Sequence, residues 1–133
     1  MAYTAKRVVA MMASMPDQVG LLAMVAKMWK ADDVDMLAAA AWVEDQAMFL
    51  GVPKDPEAGR KCAAKQGVTL KETPAIYIEG DDEMGALQPV AQEFARAGIN
   101  LEMTQAISVH GKFAAVLMVG DADYEKACAA LGI

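Results

Sequence analysis

The sequence has few of the residues on which catalysis, metal binding and disulfide frameworks depend. Its 133 residues include one histidine, two cysteines and only 6% aromatic residues. No HExxH, GxSxG, phosphate-binding loop or GxGxxG motif occurs. The single histidine, His110, falls in a predicted hairpin turn, where solvent exposure is more common than catalysis. We therefore expect no enzyme activity, no metal site and no cofactor, and the alternative is a turnover that depends on His110.

Basic charge and long apolar runs are also scarce. The formal net charge is -6 and the pI is near 4.7, which disfavours nucleic acid and anionic membranes as partners. The longest apolar run, Met36–Val43, is too short to cross a bilayer, and residues 7–13 are predicted to be a strand rather than part of a signal peptide. Cys62 and Cys128 lie in alanine-rich helical segments without a CxxC pattern. This favours buried, reduced thiols in a cytoplasmic protein over a disulfide or a reactive thiol.

The sequence does contain an internal repeat. A shift of 65 residues without a gap aligns "PDQVGLL" with "DDEMGAL", so that Asp17 meets Asp82 and Gly20 meets Gly85. The apolar stripe that follows is also repeated, as Leu22, Val25, Ala26 and Trp29 and then as Leu87, Val90, Ala91 and Phe94. The repeat predicts two units, residues 1–72 and 73–133, with no flexible linker between them.

Each half is predicted to contain strands with a period of two and helices with an apolar stripe. The predicted strands are 7–13, 34–43, 47–52 and 68–70 in the first half, and 74–79, 98–109 and 113–119 in the second. The predicted helices follow Asp17, Asp55, Asp82 and Asp121, with Asp55 and Asp121 as N-caps. This order predicts an α+β protein of two ferredoxin-like βαββαβ repeats, whose antiparallel sheets have the helices packed on one face.

The two halves differ from the repeated pattern at three places, and each difference predicts a local change in structure. The last strand of the second half is absent from the sequence pattern, so we expect it to be missing, very short or supplied by another chain. Pro89 is expected to kink the third helix or to shift its start. Asp33 stands where the second half has Gly98, so the first helix is expected to end differently.

The loop after each first strand is the best candidate for a site. One interpretation is structural, because the loop aspartate can cap the following helix by accepting a backbone N–H bond. The other is functional, because a helix N-terminus presents unpaired N–H groups and a partial positive charge that suit a carboxylate. The sequence leaves both interpretations open.

The second half also resembles a known family. Residues 76–119, "IYIEGDDEMGALQPVAQEFARAGINLEMTQAISVHGKFAAVLMV", resemble an ACT domain in having a strand, a D-x-x-G turn, a helix that ends in A-G-I-N at residues 97–100, and a hairpin. The first half is similar to the same family less closely, because "ADDVDM" at residues 31–36 replaces the A-G-I-N step. The resemblance covers nearly the whole chain and identifies it as a tandem ACT protein.

The resemblance implies regulation through a free amino acid bound at an interface between two ACT domains. It places the ligand between the loop of one domain and the start of the second strand of its neighbour. The implied binding residues are Asp82, Glu83, Met84, Gly85 and Asn100 in the second half, and Asp17, Gln18, Val19, Gly20 and Asp35 in the first. It also implies a homodimer and, as a possible partner, a metabolic enzyme.

Other classes with the same element order fit less well. RNA-recognition domains need stacking aromatic residues on their central strands, and each of the two candidate strands here has one phenylalanine in an acidic protein. Small copper chaperones need CxxC in the first loop, which here contains no cysteine. A domain pair that binds no ligand and serves for oligomerisation or partner binding is the main alternative.

Overall fold

The computed structural model describes residues 3–133, which form six strands and four α-helices. The strands are β1 (Tyr3–Met15), β2 (Met36–Val43), β3 (Ala47–Pro53), β4 (Lys71–Asp81), β5 (Leu101–Val109) and β6 (Lys112–Val119). The helices are α1 (Leu21–Ala31), α2 (Pro56–Lys65), α3 (Gln88–Arg96) and α4 (Tyr124–Ala130), the last preceded by a 3-10 turn at Asp121–Asp123. Within residues 3–133, no helix combines the length and the apolar character that a membrane crossing requires.

The chain divides into two compact units. The N-terminal unit is Val9–Thr73, and the C-terminal unit combines residues 3–8 with Pro74–Ile133. In each unit, antiparallel strands form a sheet and two helices cover one face of it. The predicted fold class, α+β with ferredoxin-like βαββαβ repeats, is confirmed.

The N-terminal unit is built around β1 and β3, which pair antiparallel from Met11 opposite Gly51 to Met15 opposite Ala47. Because side chains alternate along a strand, Phe49 and Ala47 point to the same face, where they meet Leu21 and Val25 of α1. The second helix starts as predicted, with Pro56 in its first turn and the Asp55 side chain accepting the Glu57 N–H bond at 3.1 Å.

The core of the C-terminal unit lies on the corresponding face. Strands β4 and β6 pair antiparallel, with Ile76 opposite Leu117, and alternate residues of both strands pack under α3 and α4. Phe94 lies at the centre of this core with 1% of its surface exposed. The hairpin between β5 and β6 turns at His110 and Gly111, both with positive φ, as predicted from the sequence.

The fourth strand of the C-terminal unit is supplied by the beginning of the same chain. Residues 3–8 of β1 belong to this unit, and β1 lies beside β4 on the side opposite to β6. Tyr3 and Ala5 pack against the core of the unit. Arg7 forms a bidentate pair with Glu125 of α4, with N–O distances of 2.8 and 3.0 Å. We expected the last strand of this unit to be missing, very short or supplied by another chain. That expectation is wrong, because β1 of the same chain provides it.

Three further predictions from local patterns are wrong. Residues 68–70 form no strand, and the neighbouring residues 71–73, expected to connect the two halves, begin the long strand β4. Asp121 does not cap α4, because neither the 3-10 turn nor α4 has a side-chain cap. The first helix does not end differently from its counterpart, because Asp33 adopts the left-handed conformation that Gly98 adopts, with φ of 54° and 72°.

Replacing Asp33 by glycine is therefore expected to stabilise the protein. The two helices end with equivalent hydrogen bonds. The Val34 N–H donates to the Trp29 carbonyl after α1, and the Ile99 N–H donates to the Phe94 carbonyl after α3, each at 2.9 Å. The left-handed conformation costs a residue with a Cβ atom about 1 kcal/mol relative to glycine. We expect D33G to raise the free energy of unfolding, measured in urea, by roughly 0.5–1 kcal/mol.

The reciprocal variant is the control for this prediction. G98D places the same side chain at the equivalent helix end, where an added Cβ would have space, since its nearest neighbour is the Lys126 ammonium at 4.0 Å. We expect it to lower the free energy of unfolding by a similar amount. A loss of stability in D33G would show instead that the Asp33 side chain makes a stabilising interaction.

Candidate functional site

The predicted loop of the N-terminal unit forms one wall of a surface cleft of about 270 Å³. The loop leaves β1 after Met15 and reaches α1 at Leu21, so Asp17, Gln18 and Gly20 line the cleft. The opposite wall is the β2–β3 hairpin, because Val43 pairs with Ala47 and Ala47 pairs with Met15. This register brings Trp42 and Val43 to the loop, and we call this site the α1 cleft.

The N-terminus of α1 opens into the α1 cleft without a cap. Gly20 is the N-cap residue with φ of 84°, no side chain accepts a bond from the first turn, and the first turn has no acidic residue. The expectation that Asp17 caps this helix is therefore wrong. The N–H groups of Leu22 and Ala23 have no acceptor within the helix, so they present positive partial charge to the cleft.

The corresponding loop of the C-terminal unit is held by hydrogen bonds to the β5–β6 hairpin. The Asp82 carboxylate accepts a hydrogen bond from Ser108, and the Asp82 N–H donates to the Gly111 carbonyl at 2.8 Å. A turn between Glu83 and Ala86 follows, so α3 begins only at Gln88, with Pro89 in its first turn. Of the two outcomes predicted for Pro89, a kink or a shifted start, the structure has the shifted start. Pro89 also contributes no N–H group to this helix end.

The second-strand residues lie away from the loops within each unit. Asn100 is exposed and precedes Leu101, which pairs with Val119, whereas Asp82 lies at the other end of the β5–β6 hairpin, near Lys112. Asp35 likewise precedes β2. Its carboxylate forms an exposed ion pair with Lys54 at 2.9 Å.

Exposed apolar side chains surround both loops. At the tips of the loops, Val19 and Met84 are fully exposed. Trp42 and its counterpart Ile107 are 37% and 63% exposed on the adjacent hairpins. Trp42 was not predicted as a wall of the site. The signal in the sequence is its position two residues before "EDQ", which puts an aromatic residue at the end of a predicted hairpin strand.

A polar cluster lies on the other side of the N-terminal unit, between the end of α1 and α2. Lys65 donates a hydrogen bond to Asp32 at 2.9 Å, and this bond lowers the pKa of the Asp32 carboxyl below its usual value. Burial raises the pKa of the Cys62 thiol, which keeps it protonated at neutral pH. Cys62 and Cys128 are both free and buried, in agreement with the sequence-based interpretation.

The comparisons with known proteins identify the fold. No protein-family model matches the sequence, and no curated protein matches it significantly. A solved structure of a protein from Bacteroides thetaiotaomicron is similar, with a TM-score of 0.83 at 16% identity over 96% of this chain and 88% of that chain. The regulatory subunit of aspartate kinase from Thermus thermophilus, in its ligand-free form, has a TM-score of 0.63 at 17% identity over 98% and 95% of the two chains.

A third similar structure is a longer protein. E. coli aspartokinase III in complex with aspartate and ADP has a TM-score of 0.57 at 13% identity, over 97% of this chain and 32% of that chain. At these identities the likeness concerns the fold alone, and the fold is ACT-like. The neighbours include a protein named as a regulatory subunit rather than a catalytic one.

Proposed function

We propose that this chain is a regulatory protein, not an enzyme, that senses a free amino acid at its ACT-type domains. The observation that carries the proposal is the uncapped N-terminus of α1, which opens into a cleft with apolar walls. The regulatory subunit of aspartate kinase among its structural neighbours supports a regulatory role.

The chemistry of the α1 cleft fits the three parts of an amino acid. The α-carboxylate accepts hydrogen bonds from the free N–H groups of Leu22 and Ala23. The Asp17 carboxylate, which is not used as a helix cap, is available for the α-ammonium group. Trp42 and Leu22 offer apolar surface to the ligand side chain. Because these groups belong to one unit, the N-terminal copy of the loop is the one we assign first.

The remaining residues of the proposed site come from a neighbouring domain. Asn100 and Asp35 lie away from the loops of their own units, so we propose that each of them completes a site across an interface. The loop of the C-terminal unit, Asp82, Glu83, Met84 and Gly85, is proposed as the second copy. The helix that follows this loop begins only at Gln88 and has Pro89 in its first turn. We therefore expect the second copy of the site to bind the ligand more weakly.

Exposed apolar residues favour the association of two copies of this chain. Val19, Met84 and Ile107 are exposed apolar residues beside the proposed sites, and contact with a second copy would remove their apolar surface from water. We propose a homodimer in the cytoplasm, with a metabolic enzyme as a further partner. The same residues support the alternative function, an oligomerisation or partner-binding module without a ligand.

A glutamate in the first turn of α1 is expected to block ligand binding in the α1 cleft without unfolding the protein. A23E places a carboxylate at the third helical position, where it interacts favourably with the free N–H groups and stabilises the helix by about 0.5 kcal/mol. The same carboxylate occupies the position proposed for that of the ligand. In a thermal-shift panel of the common amino acids, we expect at least one to raise the melting temperature of the unaltered protein. We expect most of that rise to be lost in A23E, which retains only the weaker site of the C-terminal unit.

The repeat provides a matched control. Gln88 is the counterpart of Ala23 and lies in the first turn of α3, so Q88E adds the same charge to the equivalent helix of the other unit. We expect Q88E to retain the ligand-induced shift. If no amino acid shifts the unaltered protein, the ligand-free module is the better description. If A23E and Q88E respond alike, the carboxylate does not bind at α1.

A further inference from the structure

The N-terminal unit contains a second cavity that the proposed amino-acid site does not use. It lies between the sheet and the two helices of the unit and has a volume of about 60 Å³. Its walls are almost wholly apolar, with the thioether side chains of Met11, Met15, Met28 and Met36 and the indole of Trp29. The polar residues at its edge are Cys62 and Gln66.

The cavity exists because two glycines replace large side chains of the other repeat. Gly51 pairs with Met11, and in the C-terminal unit Leu117 pairs with Ile76, the counterpart of Met11, so Gly51 corresponds to Leu117. On α2, Gly59 corresponds to Tyr124 of α4 by the shift of 65 residues. Leu117 and Tyr124 are 1% and 8% exposed and fill the core of their unit. The glycines leave that space to side chains from other elements and to the cavity.

Methionine side chains partly occupy the space above the two glycines. A Cβ atom added at Gly51 would lie 2.9 Å from Cε of Met36, and one added at Gly59 would lie 2.9 Å from Sδ of Met11. The two methionines have unbranched side chains with three rotatable bonds, which adapt to irregular partners. The Pro53 ring, 3.1 Å from the Cβ position at Gly59, is rigid. Movement of either methionine end enlarges the cavity without a change in the backbone.

One wall of the cavity is a segment without regular structure. Val68 and Leu70, in the segment that the sequence predicted as a strand, line the cavity and are only half-buried. Backbone that is not part of a sheet ladder opens locally at lower free energy than a paired strand. This segment offers an access route to the cavity from solvent.

We propose that the N-terminal unit binds a single-ring aromatic molecule in this cavity, between α1, α2 and the sheet. Apolar walls exclude water from such a space and favour an apolar occupant, and a cavity of about 150 Å³ elsewhere takes up benzene. Thioether sulfurs make favourable contacts with aromatic rings, and four of them surround this space. Displacement of the Met11 and Met36 ends supplies the additional volume that a ring needs.

Quenching of tryptophan fluorescence by iodobenzene tests the proposal. The chain has two tryptophans, and W42F leaves Trp29, which lines the cavity, as the only emitter. We expect saturable quenching that corresponds to one site per chain, and benzene should compete with it. Quenching that rises linearly with iodobenzene, without saturation or competition, would overturn the proposal.

Variants that change the cavity volume in opposite directions make the test specific. In the W42F background, G51A pushes the Met36 end into the cavity and is expected to weaken binding by about tenfold or more. M36A enlarges the cavity and is expected to strengthen binding. The matched control is M12A, because Met12 lies on the opposite face of β1 from Met11, and we expect it to bind as the parent does.

The comparison between M36A and M12A decides the outcome even if G51A does not fold. Circular dichroism establishes the fold of each variant before titration. Equal affinity for iodobenzene in M36A and M12A would overturn the proposal, because binding would then not depend on the cavity.

Discussion

A chain that begins at Val9 is expected to lose the folded structure of the C-terminal unit. Residues 3–8 of β1 belong to that unit and lie beside β4. Their removal exposes the edge of β4, uncovers the core where Tyr3 and Ala5 pack, and deletes the Arg7–Glu125 pair. We expect the loss to exceed about 5 kcal/mol, which is the whole stability of many small domains. Amide resonances of residues 74–133 in an NMR spectrum should then collapse to the dispersion of an unfolded chain.

A rearranged fragment provides the control. Residues 74–133 followed by a glycine-serine linker of about eight residues and then by residues 3–8 restore the strand in the order βαββαβ. Arg7 donates a hydrogen bond to the carbonyl of Ile133 at 3.3 Å, and Tyr3 lies four residues away along the strand, about 13 Å. A linker of about eight residues can span that distance. We expect this fragment to fold, and the fragment 74–133 alone to remain unfolded. A native-like spectrum for residues 74–133 without residues 3–8 would contradict the assignment of β1 as the fourth strand.

Local sequence patterns did not predict that residues 3–8 form the fourth strand of the C-terminal unit, or that β4 begins at Lys71. Residues 68–70 have the apolar alternation of a short strand, and residues 71–73 have the polar composition of a connection. In the structure the chain forms its strand only from Lys71 onwards. Strand formation depends on the partner that a segment meets, and the partner of β4, the beginning of the chain, is far away in sequence. The repeat and the order of its elements, by contrast, followed from periodicity and turn residues.

The candidate site was predictable to the level of its loops. The aligned glycines identified both helix starts, and Gly20 and Gly85 both have positive φ. The loop aspartates were predicted less well. Asp17 does not cap its helix, and Asp82 binds Ser108, a residue of the hairpin that a one-dimensional pattern does not place beside it. The apolar walls of the α1 cleft depend on the pairing of β2 with β3, which the sequence pattern alone does not specify residue by residue.

Replacing Phe94 by alanine is expected to cost about 3–5 kcal/mol of unfolding free energy. Phe94 is 1% exposed and packs at the centre of the core of the C-terminal unit, so truncation leaves a cavity that the surrounding strands and helices cannot close. Its counterpart in the other repeat, Trp29, is half-buried beside an existing cavity. We expect W29A to cost less than F94A, although it removes a larger side chain, because part of the indole is already exposed to water.

Urea denaturation followed by circular dichroism measures both costs, and F94L is the control for volume. We expect F94L to cost less than F94A, since leucine retains most of the buried apolar area. A cost for W29A equal to that of F94A would contradict the unequal packing of the two repeats. Unequal costs would show that the N-terminal unit packs less tightly around Trp29 than the C-terminal unit packs around Phe94. A softer core is what an internal ligand site requires, because its side chains have to move before a molecule can enter.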